Sequence, residues 1–394
     1  MVTSASVVIL SHQPGEWLEA CLNSVLAQAG EVIVIDNGSA NRSASHIAER
    51  LGVTVIRSER NLGYAAGVNL GVGTSHGDLV ALLNDDAVAG PDWIGAAADV
   101  LEDQRVACVV PKVVRHGRYR EVTLSDEHDA PQDHRKLGRQ LLSVTSDGKE
   151  LLSELLGSGV HELEGHRGSP VGPWRWSVPG RPFYAPVEDQ GSVVLINGDP
   201  APPGPVCRLL NKAGGYMLAD GVLGDIGDGS PDDGRWDQPS EPFFGSGTAL
   251  VTRRQTFERI GGFAEGYFAY YEDGDWCWRA RLAGMTIRYD PRATVEHRHS
   301  ATSGGRNEFV TRLARRNRVL TLIRNAPWER ARAGARRALA EASGTEKLEL
   351  LGRFAWAARS RQRLEKDRVL QPSAVWDQWV NVGSEWDTSP YRGS

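Results

Sequence analysis

Apolar and polar positions alternate in two rhythms over the first third of the chain. Ser6-Val7-Val8-Ile9-Leu10 is a short, mostly apolar run, which predicts a buried strand. Pro14 and Gly15 break it. Trp17, Leu18, Cys21, Leu22, Val25 and Leu26 then recur at helical spacing. Glu31–Ile35 predicts a second buried strand, closed by Asp36-Asn37-Gly38-Ser39, an acid followed by turn residues. A helix around Ala44–Leu51 and a strand over Thr54–Ile56 follow. Strand–helix repetition of this kind predicts a parallel sheet with right-handed crossovers.

The pattern sharpens at Asp78-Leu79-Val80-Ala81-Leu82-Leu83-Asn84-Asp85-Asp86, where five apolar residues stop at three polar ones. A buried strand here carries Asn84, Asp85 and Asp86 at its C-terminal end, the edge at which open α/β sheets bind ligands. Adjacent acids suit an oxygen-rich site for Mg2+ or Mn2+, and such a metal commonly holds a diphosphate. Asn and Asp also favour turns, so a plain strand-to-turn junction is the simpler reading of this stretch taken alone. Just before it, Asn61–Gly71 is rich in small residues on one face of a helix. Small residues permit close approach of either a ligand or the sheet beneath. Gly90-Pro91-Asp92-Trp93 opens another helix, and Val106–Val110 is the next strand.

From about residue 113 to 240 the rhythm degrades. Pro170–Pro205 is rich in Pro and Gly, and alternations such as Ser192–Ile196 predict a small β-rich insertion. Gly224–Gly229 lacks the spaced acids and closing Glu of a calcium loop. The Gly- and Asp-rich segment Asn211–Gly234 reads as a loop that orders on binding. Regularity returns at Phe243–Thr252, a small-residue turn into a strand. A helix over Arg254–Ile260 follows, ended by Gly261. Glu272, Asp273 and Asp275 then lie at or before a helix predicted over Cys277–Ala283. Capping a helix start needs one acid, and three are present. Strands over Thr286–Tyr289 and Ala293–His297 follow, with His299 two residues on. The last third is helical and rich in arginine. Its tail after Pro372, holding Trp376, Trp379 and Trp386, reads as irregular. An arginine-rich helix is usually a solvated face; it can also meet phosphates or an anionic membrane surface.

Composition narrows the class. The 394 residues have the apolar and charged fractions of a soluble globular protein. A formal net charge of −5 supplies no basic field for nucleic acid. No apolar run is long enough to span a membrane, and the first strand begins without a signal peptide, which predicts a cytoplasmic protein. Cys21, Cys108, Cys207 and Cys277 are scattered, which predicts a reducing compartment and neither a zinc site nor a disulfide framework.

Three predicted strand ends thus carry acids or histidine, at Asp36, at Asn84–Asp86 and at His297, with a further acid cluster at 272–275. In this ordered set the chain resembles the family 2 glycosyltransferases. The resemblance is carried by VVIL at 7–10, VIDNGS at 34–39, NLGYAAGVNLG at 61–71, LLNDDA at 82–87, GSGTALVTR at 245–253, YYEDGDWCWR at 270–279 and the strand ending in His297. It covers about 1–112 and 240–325 and is most similar to bacterial rhamnosyltransferases. It implies an α/β GT-A fold, a mixed sheet flanked by helices, with an inserted β- and loop-rich segment and a C-terminal helical extension. The implied organisation is a nucleotide-sugar half at 1–112, an insertion shaping the acceptor site at 113–240, an acceptor and catalytic half at 241–325 and a helical extension and tail at 326–394.

The resemblance also implies roles. Asp36 would hold the base or ribose of a nucleoside diphosphate sugar, with Asn37, Asn61, Gly63, Asn69, Asn84 and Asp85 on the same donor. Asp86 matches the last acid of a DxD-like motif and would bind Mg2+ or Mn2+, with His297 completing the metal site. Asp273 matches the catalytic base, and Glu272 and Asp275 would support it or orient the acceptor. The chemistry suits these groups. A carboxylate can take the proton of an attacking hydroxyl, and a metal can neutralise a leaving diphosphate. A single base opposite the leaving group gives inversion, whereas two flanking carboxylates would suggest hydrolysis. The expected protein is an inverting, metal-dependent hexosyltransferase. Its acceptor would be a glycan, a lipid-linked sugar or a small molecule, with peripheral membrane contact through the C-terminal region. The alternatives are a sugar-phosphate nucleotidyltransferase, for which Ser11–Gly15 supplies no basic triphosphate loop, and a non-catalytic carbohydrate-binding relative.

Overall fold

The apolar runs of the first third form one mixed sheet. In a computed structural model, residues 4–128, 133–164, 172–298 and 308–380 are described; His299 and Trp386 lie outside them. The strands are β1 (Ala5–Ser11), β2 (Glu31–Asn37), β3 (Thr54–Ser58), β4 (Leu79–Asn84), β5 (Ala87–Ala89), β6 (Val106–Arg115), β7 (Ala249–Arg253) and β8 (Thr286–His297). They lie in the order β3-β2-β1-β4-β7-β6-β8-β5. β1 pairs in parallel with β2 and with β4, and β2 in parallel with β3. β7 runs antiparallel to both β4 and β6. Chain order turns back at β1 and β4, and the register sets Ser11 beside Asp36 and Leu10 beside Asn84. That is the switch point where an open α/β sheet leaves a crevice.

The helices α1 (Leu18–Val25), α2 (Ser43–Arg50), α3 (Tyr64–Thr74), α4 (Trp93–Leu101) and α5 (Arg254–Ile260) fall where the spacing placed them. α1 buries Leu18, Cys21, Leu22 and Val25 in a core shared with Val7, Ile9, Val34, Leu83 and Trp93. Gly261 ends α5 in a left-handed conformation, φ 94°. The small residues of α3 serve packing. A Cβ on Gly67 would lie 2.0 Å from Leu10 Cδ1, and one on Gly71 2.3 Å from Val8 Cγ1. The helix therefore rides directly on β1, and that decides between the two readings for these glycines.

Four expectations are corrected, three of them in the sheet and helices and one in the segment Lys212–Ile226. Helix α6 is Glu272–Leu282 and begins five residues earlier than its apolar spacing implied. Its first turn is acidic, which the dipole favours, and acids at a helix start read as loop in sequence. The two strands around Pro291 are one strand, β8, whose far end pairs antiparallel with β5. The tail is not wholly irregular: Pro372–Trp379 is a helix with Pro at its first turn, and Trp376 is buried against Trp278 at 6.1 Å between ring centroids. Before it come α7 (Glu308–Asn325), α8 (Trp328–Glu341) and α9 (Gly344–Leu364), with the tail helix as α10.

The described residues fall into two compact units. The first comprises the sheet, its helices and the segment Lys212–Ile226. In that segment Gly215–Met217 and Leu223–Asp225 form a hairpin, where the sequence suggested a loop. The second unit is built from Val114–Asn211 and Gly227–Arg235. It has its own small sheets and its own core around Val122, Leu141, Val144 and Phe183.

Candidate active site

A cavity of about 490 Å3 opens in the first unit at the C-terminal ends of β1 and β4. It lies on the sheet edge that the strand order singles out. Asn84, Asp85 and Asp86 line it from the end of β4, and His297 from the end of β8. Glu272 and Asp273 line it from the start of α6. Six predicted site residues are thus brought together from three segments far apart in sequence. A larger cavity, of about 570 Å3, lies in the second unit around Glu121, Tyr184 and Asp233 and holds none of this strand-end chemistry.

Asp86 and His297 form a buried pair across the two strand ends. His297 Nε2 lies 3.1 Å from Asp86 Oδ1, and the residues are only 6% and 7% exposed for His297 and Asp86. Asp85 accepts a 2.6 Å hydrogen bond from Ser11 Oγ. Burial pushes the Asp85 carboxyl up to about 7; the Ser11 bond opposes this and the Asp86 charge adds to it. Among the described residues no group of three His, Cys, Asp or Glu is placed to hold a metal ion by itself. The described residues therefore bring one carboxylate, Asp86, and one imidazole, His297, together. That set suits Mn2+ or Mg2+ when substrate phosphates and water supply the remaining ligands.

Asp273 is held by backbone. Its Oδ2 accepts from Gly247 N at 2.9 Å and its Oδ1 from Gly274 N at 2.7 Å. Burial raises its carboxyl above the ordinary range, against the pull of those two N–H groups. The loop that delivers it is strained, because Phe268, Tyr270 and Tyr271 have φ of 70°, 69° and 75°. Left-handed non-glycine residues persist only where surroundings impose them. Here Asn317 of α7 imposes them. Its Nδ2 reaches the carbonyls of Tyr267, Ala269 and Tyr270 at 3.1, 2.8 and 2.8 Å.

Other predicted site residues stand off the cavity wall. Asp275 is buried in an ion cluster: Arg279 Nε donates to it at 2.9 Å, Arg324 Nε at 2.7 Å and Asn325 Nδ2 at 2.7 Å. Burial opposes ionisation, but the Arg324 and Arg279 charges outweigh it and hold the carboxyl well below the usual range. Two residues past Asp273 on a helix, it faces another way. The cluster also locates Arg324, which is 3% exposed, so the arginine-rich α7 is not simply a solvated face. Asp36 accepts from Ser39 N at 2.8 Å, Ser45 N at 3.2 Å, Ser45 Oγ and Arg57 Nη1 at 2.7 Å. It orders the turn after β2. Asn37 and Asn61 are joined at 3.0 Å, and Asn37 Oδ1 accepts from Leu62 N at 2.8 Å, which ties the strand end to the loop before α3. Gly63, with φ 81°, lets that loop pass Phe268, whose carbonyl would lie 2.4 Å from a Cβ there. Asn69 bonds Phe263 through both its backbone N–H and its carbonyl, at 2.9 and 2.8 Å.

Sequence reasoning missed Lys212 and Asp225, which also line the cavity and pair at 3.2 Å. Lys212 is one of six lysines in the chain and sits in the irregular stretch. That scarcity was the one available signal.

Comparison with known proteins agrees with this architecture. The model of the family described as Glycosyl transferase family 2 matches residues 6–147. An N-acetylglucosaminyl-diphospho-decaprenol L-rhamnosyltransferase of Mycobacterium tuberculosis is 39% identical over 99 residues, covering 24% of this chain and 32% of that protein. Rhamnosyltransferase WbbL of Escherichia coli is 44% identical over 46 residues, 12% of this chain and 17% of that one. The chain spans about a third or less of the length of the first curated relatives it matches. Among solved structures, GalNAc-T7 with UDP, GalNAc and Mn2+ aligns over 98% of this chain and 58% of that chain, with a TM-score of 0.58 at 14% identity. At that identity the likeness is one of fold. With its strand-end cavity on a mixed, helix-flanked sheet, this chain has the GT-A fold and matches the family 2 glycosyl transferases over residues 6–147.

Proposed function

We propose that the protein is an inverting glycosyltransferase that moves a sugar from a nucleoside diphosphate sugar to an acceptor hydroxyl. The observation that carries this reading is the meeting, in one cavity, of the Asp86–His297 pair with Asp273. In this reading Asp273 Oδ takes the proton of the acceptor hydroxyl while that oxygen bonds to the anomeric carbon. The bond from that carbon to the diphosphate oxygen breaks, and the nucleoside diphosphate leaves with the electron pair. Gly247 and Gly274 N–H fix the base, and Asn317 fixes the loop that bears it. Asp86 and His297 would hold Mg2+ or Mn2+, which when bound neutralises charge on the diphosphate. Asn84 and Asp85 face the donor, while Asp36, Asn37, Asn61 and Gly63 hold the turns behind the nucleotide end. Asn69 is a tie between α3 and the loop after α5.

Lys212 and Asp225 support an acceptor-shaping role for part of the segment 113–240. We place peripheral contact with an anionic membrane face at α7–α9. Residues 308–364 hold fourteen Lys and Arg, all but Arg324 and Arg361 outside the buried set, against five Asp and Glu, in a chain of net charge −5. Leu348 and Leu351 there are 71% and 50% exposed, a mix of basic and apolar surface that suits a lipid interface. Among the described residues no helix is long and apolar enough to cross a membrane.

A panel of nucleotide sugars tests the reading, by thermal shift with Mn2+ and by release of nucleoside diphosphate. Rhamnose donors come first, because two relatives bear rhamnosyltransferase names. One donor should stabilise the protein and turn over with a sugar or lipid-linked acceptor. If no nucleotide sugar binds with metal present, the reading falls. Consumption of nucleoside triphosphate with a sugar phosphate would name a nucleotidyltransferase instead.

A further inference from the structure

Glu272 has no part in the reaction as drawn, yet it is the least satisfied polar group on the cavity wall. It opens α6 one residue before Asp273, lines the same cavity and is 5% exposed. Its Oε2 is buried and has no hydrogen-bond partner. Among the described residues no Lys, Arg or His side chain pairs with it, whereas Asp275, three residues on, holds two arginines. A buried carboxylate oxygen without a partner is costly, and evolution removes such groups unless a ligand completes them. Its placement is imposed: the N-cap residue Tyr271 is left-handed, and the preceding loop is pinned by Asn317.

We propose that Oε2 of Glu272 is a hydrogen-bond donor, a carboxylic acid O–H on the cavity wall, and that it recognises a hydroxyl oxygen of the sugar bound there. Two adjacent carboxyl groups in one dry site do not both ionise readily. Asp273 has two backbone N–H donors to steady a negative charge, and Glu272 lacks a comparable pair. Burial, and next the Asp273 charge, push the Glu272 carboxyl well above the usual range, which favours the neutral acid that the unpartnered Oε2 calls for. The two neighbours then divide the work: one takes a proton, the other gives a hydrogen bond. The ligand's identity as a sugar rests on the transferase reading; the protonation state does not.

Two substitutions separate this role from that of a rival base. Glu272→Gln keeps the shape, the neutral charge and a donor N–H. Glu272→Leu keeps bulk and removes the donor. With the donor and acceptor found in the nucleotide-sugar panel, E272Q should hold kcat/KM within about threefold of wild type. E272L should lower it by about 10- to 100-fold. Whether KM rises for the nucleotide sugar or for the acceptor tells which sugar carries the hydroxyl. Infrared difference spectra of the full chain at pH 7 read the acid directly, as the carbonyl stretch of a protonated carboxylic acid present in wild type and missing in E272Q. That measurement needs no turnover, so it stands even if the transferase reading fails, and it stands if E272L does not fold. A loss of transfer in E272Q as large as in Asp273→Asn overturns the proposal. So does the lack of a protonated-carboxyl band that E272Q removes.

Discussion

Replacing Asp273 by Asn separates chemistry from binding more cleanly than any other change at the site. The structure gives two consequences of different size. Both carboxylate oxygens accept backbone N–H bonds, from Gly274 at 2.7 Å and from Gly247 at 2.9 Å. An amide can accept only one of these, and its NH2 then faces the other donor. One half-buried N–H is left without a partner, which costs about 1–3 kcal/mol of stability. The chemical consequence is larger. The basic lone pair is gone, so transfer should fall by roughly 10²–10⁴. Donor binding, on the other side of the cavity, should stay within about 1 kcal/mol of wild type. The assay is single-turnover transfer at saturating nucleotide sugar, with calorimetric donor affinity and a melting curve beside it. The pH profile adds a sign. The base works when ionised, and burial raises its carboxyl, so wild-type transfer should climb with pH along a limb displaced upward from the ordinary carboxylate range. Asp273→Asn should lose that limb. Near-normal transfer by the variant would falsify the assignment. A parallel loss of donor affinity would mean that the carboxylate serves binding instead.

Asp275→Asn should cost about 3–5 kcal/mol, read by denaturant unfolding, because Arg279 and Arg324 are left buried against a neutral partner. The folded carboxyl lies below its unfolded value, so its contribution is complete above about pH 4 and fades as pH falls through the folded value; the variant should lose that acid dependence. Asp86→Ala should weaken nucleoside diphosphate binding as much as chelation does in wild type, and calorimetry showing equal affinity with and without metal would exclude a shared cation. Leu348→Glu together with Leu351→Glu should release the protein from anionic phosphatidylglycerol vesicles in a flotation assay while leaving nucleotide-sugar turnover in solution unchanged. Flotation equal to that of wild type would remove the lipid contact.

The parallel half of the sheet was legible because each strand is a local event. Val7–Ile9, Val32–Ile35 and Leu79–Leu83 are apolar runs that can be buried only on both faces, and turn residues close each one. The acids at Asp85, Asp86 and Asp273 stood out for the same local reason, as charges that end apolar strands or crowd a helix start. The start of α6 was not legible, because it follows a left-handed Tyr271 at the end of a loop whose Tyr270 carbonyl is held by Asn317, 47 residues downstream in sequence.

By itself, the sequence determined periodicity, order and chemistry over its regular stretches: the strands and helices of the first third, which strand ends carry acids, and the absence of a basic field in its net charge. Tertiary structure alone decided which of those acids share a cavity. Asp36, Asp86, Asp273 and Asp275 are alike as residues. Folding surrounds Asp36 with serines and Arg57, encloses Asp275 between two arginines, and leaves Asp86 and Asp273 on the cavity wall. The physical reason is that a carboxylate's role is set by its partners and its burial. Some of those partners are local, such as Ser39, Gly274 and Arg279, but Arg324 of α7, Gly247 in the turn before β7 and His297 at the end of β8 are brought in only by folding.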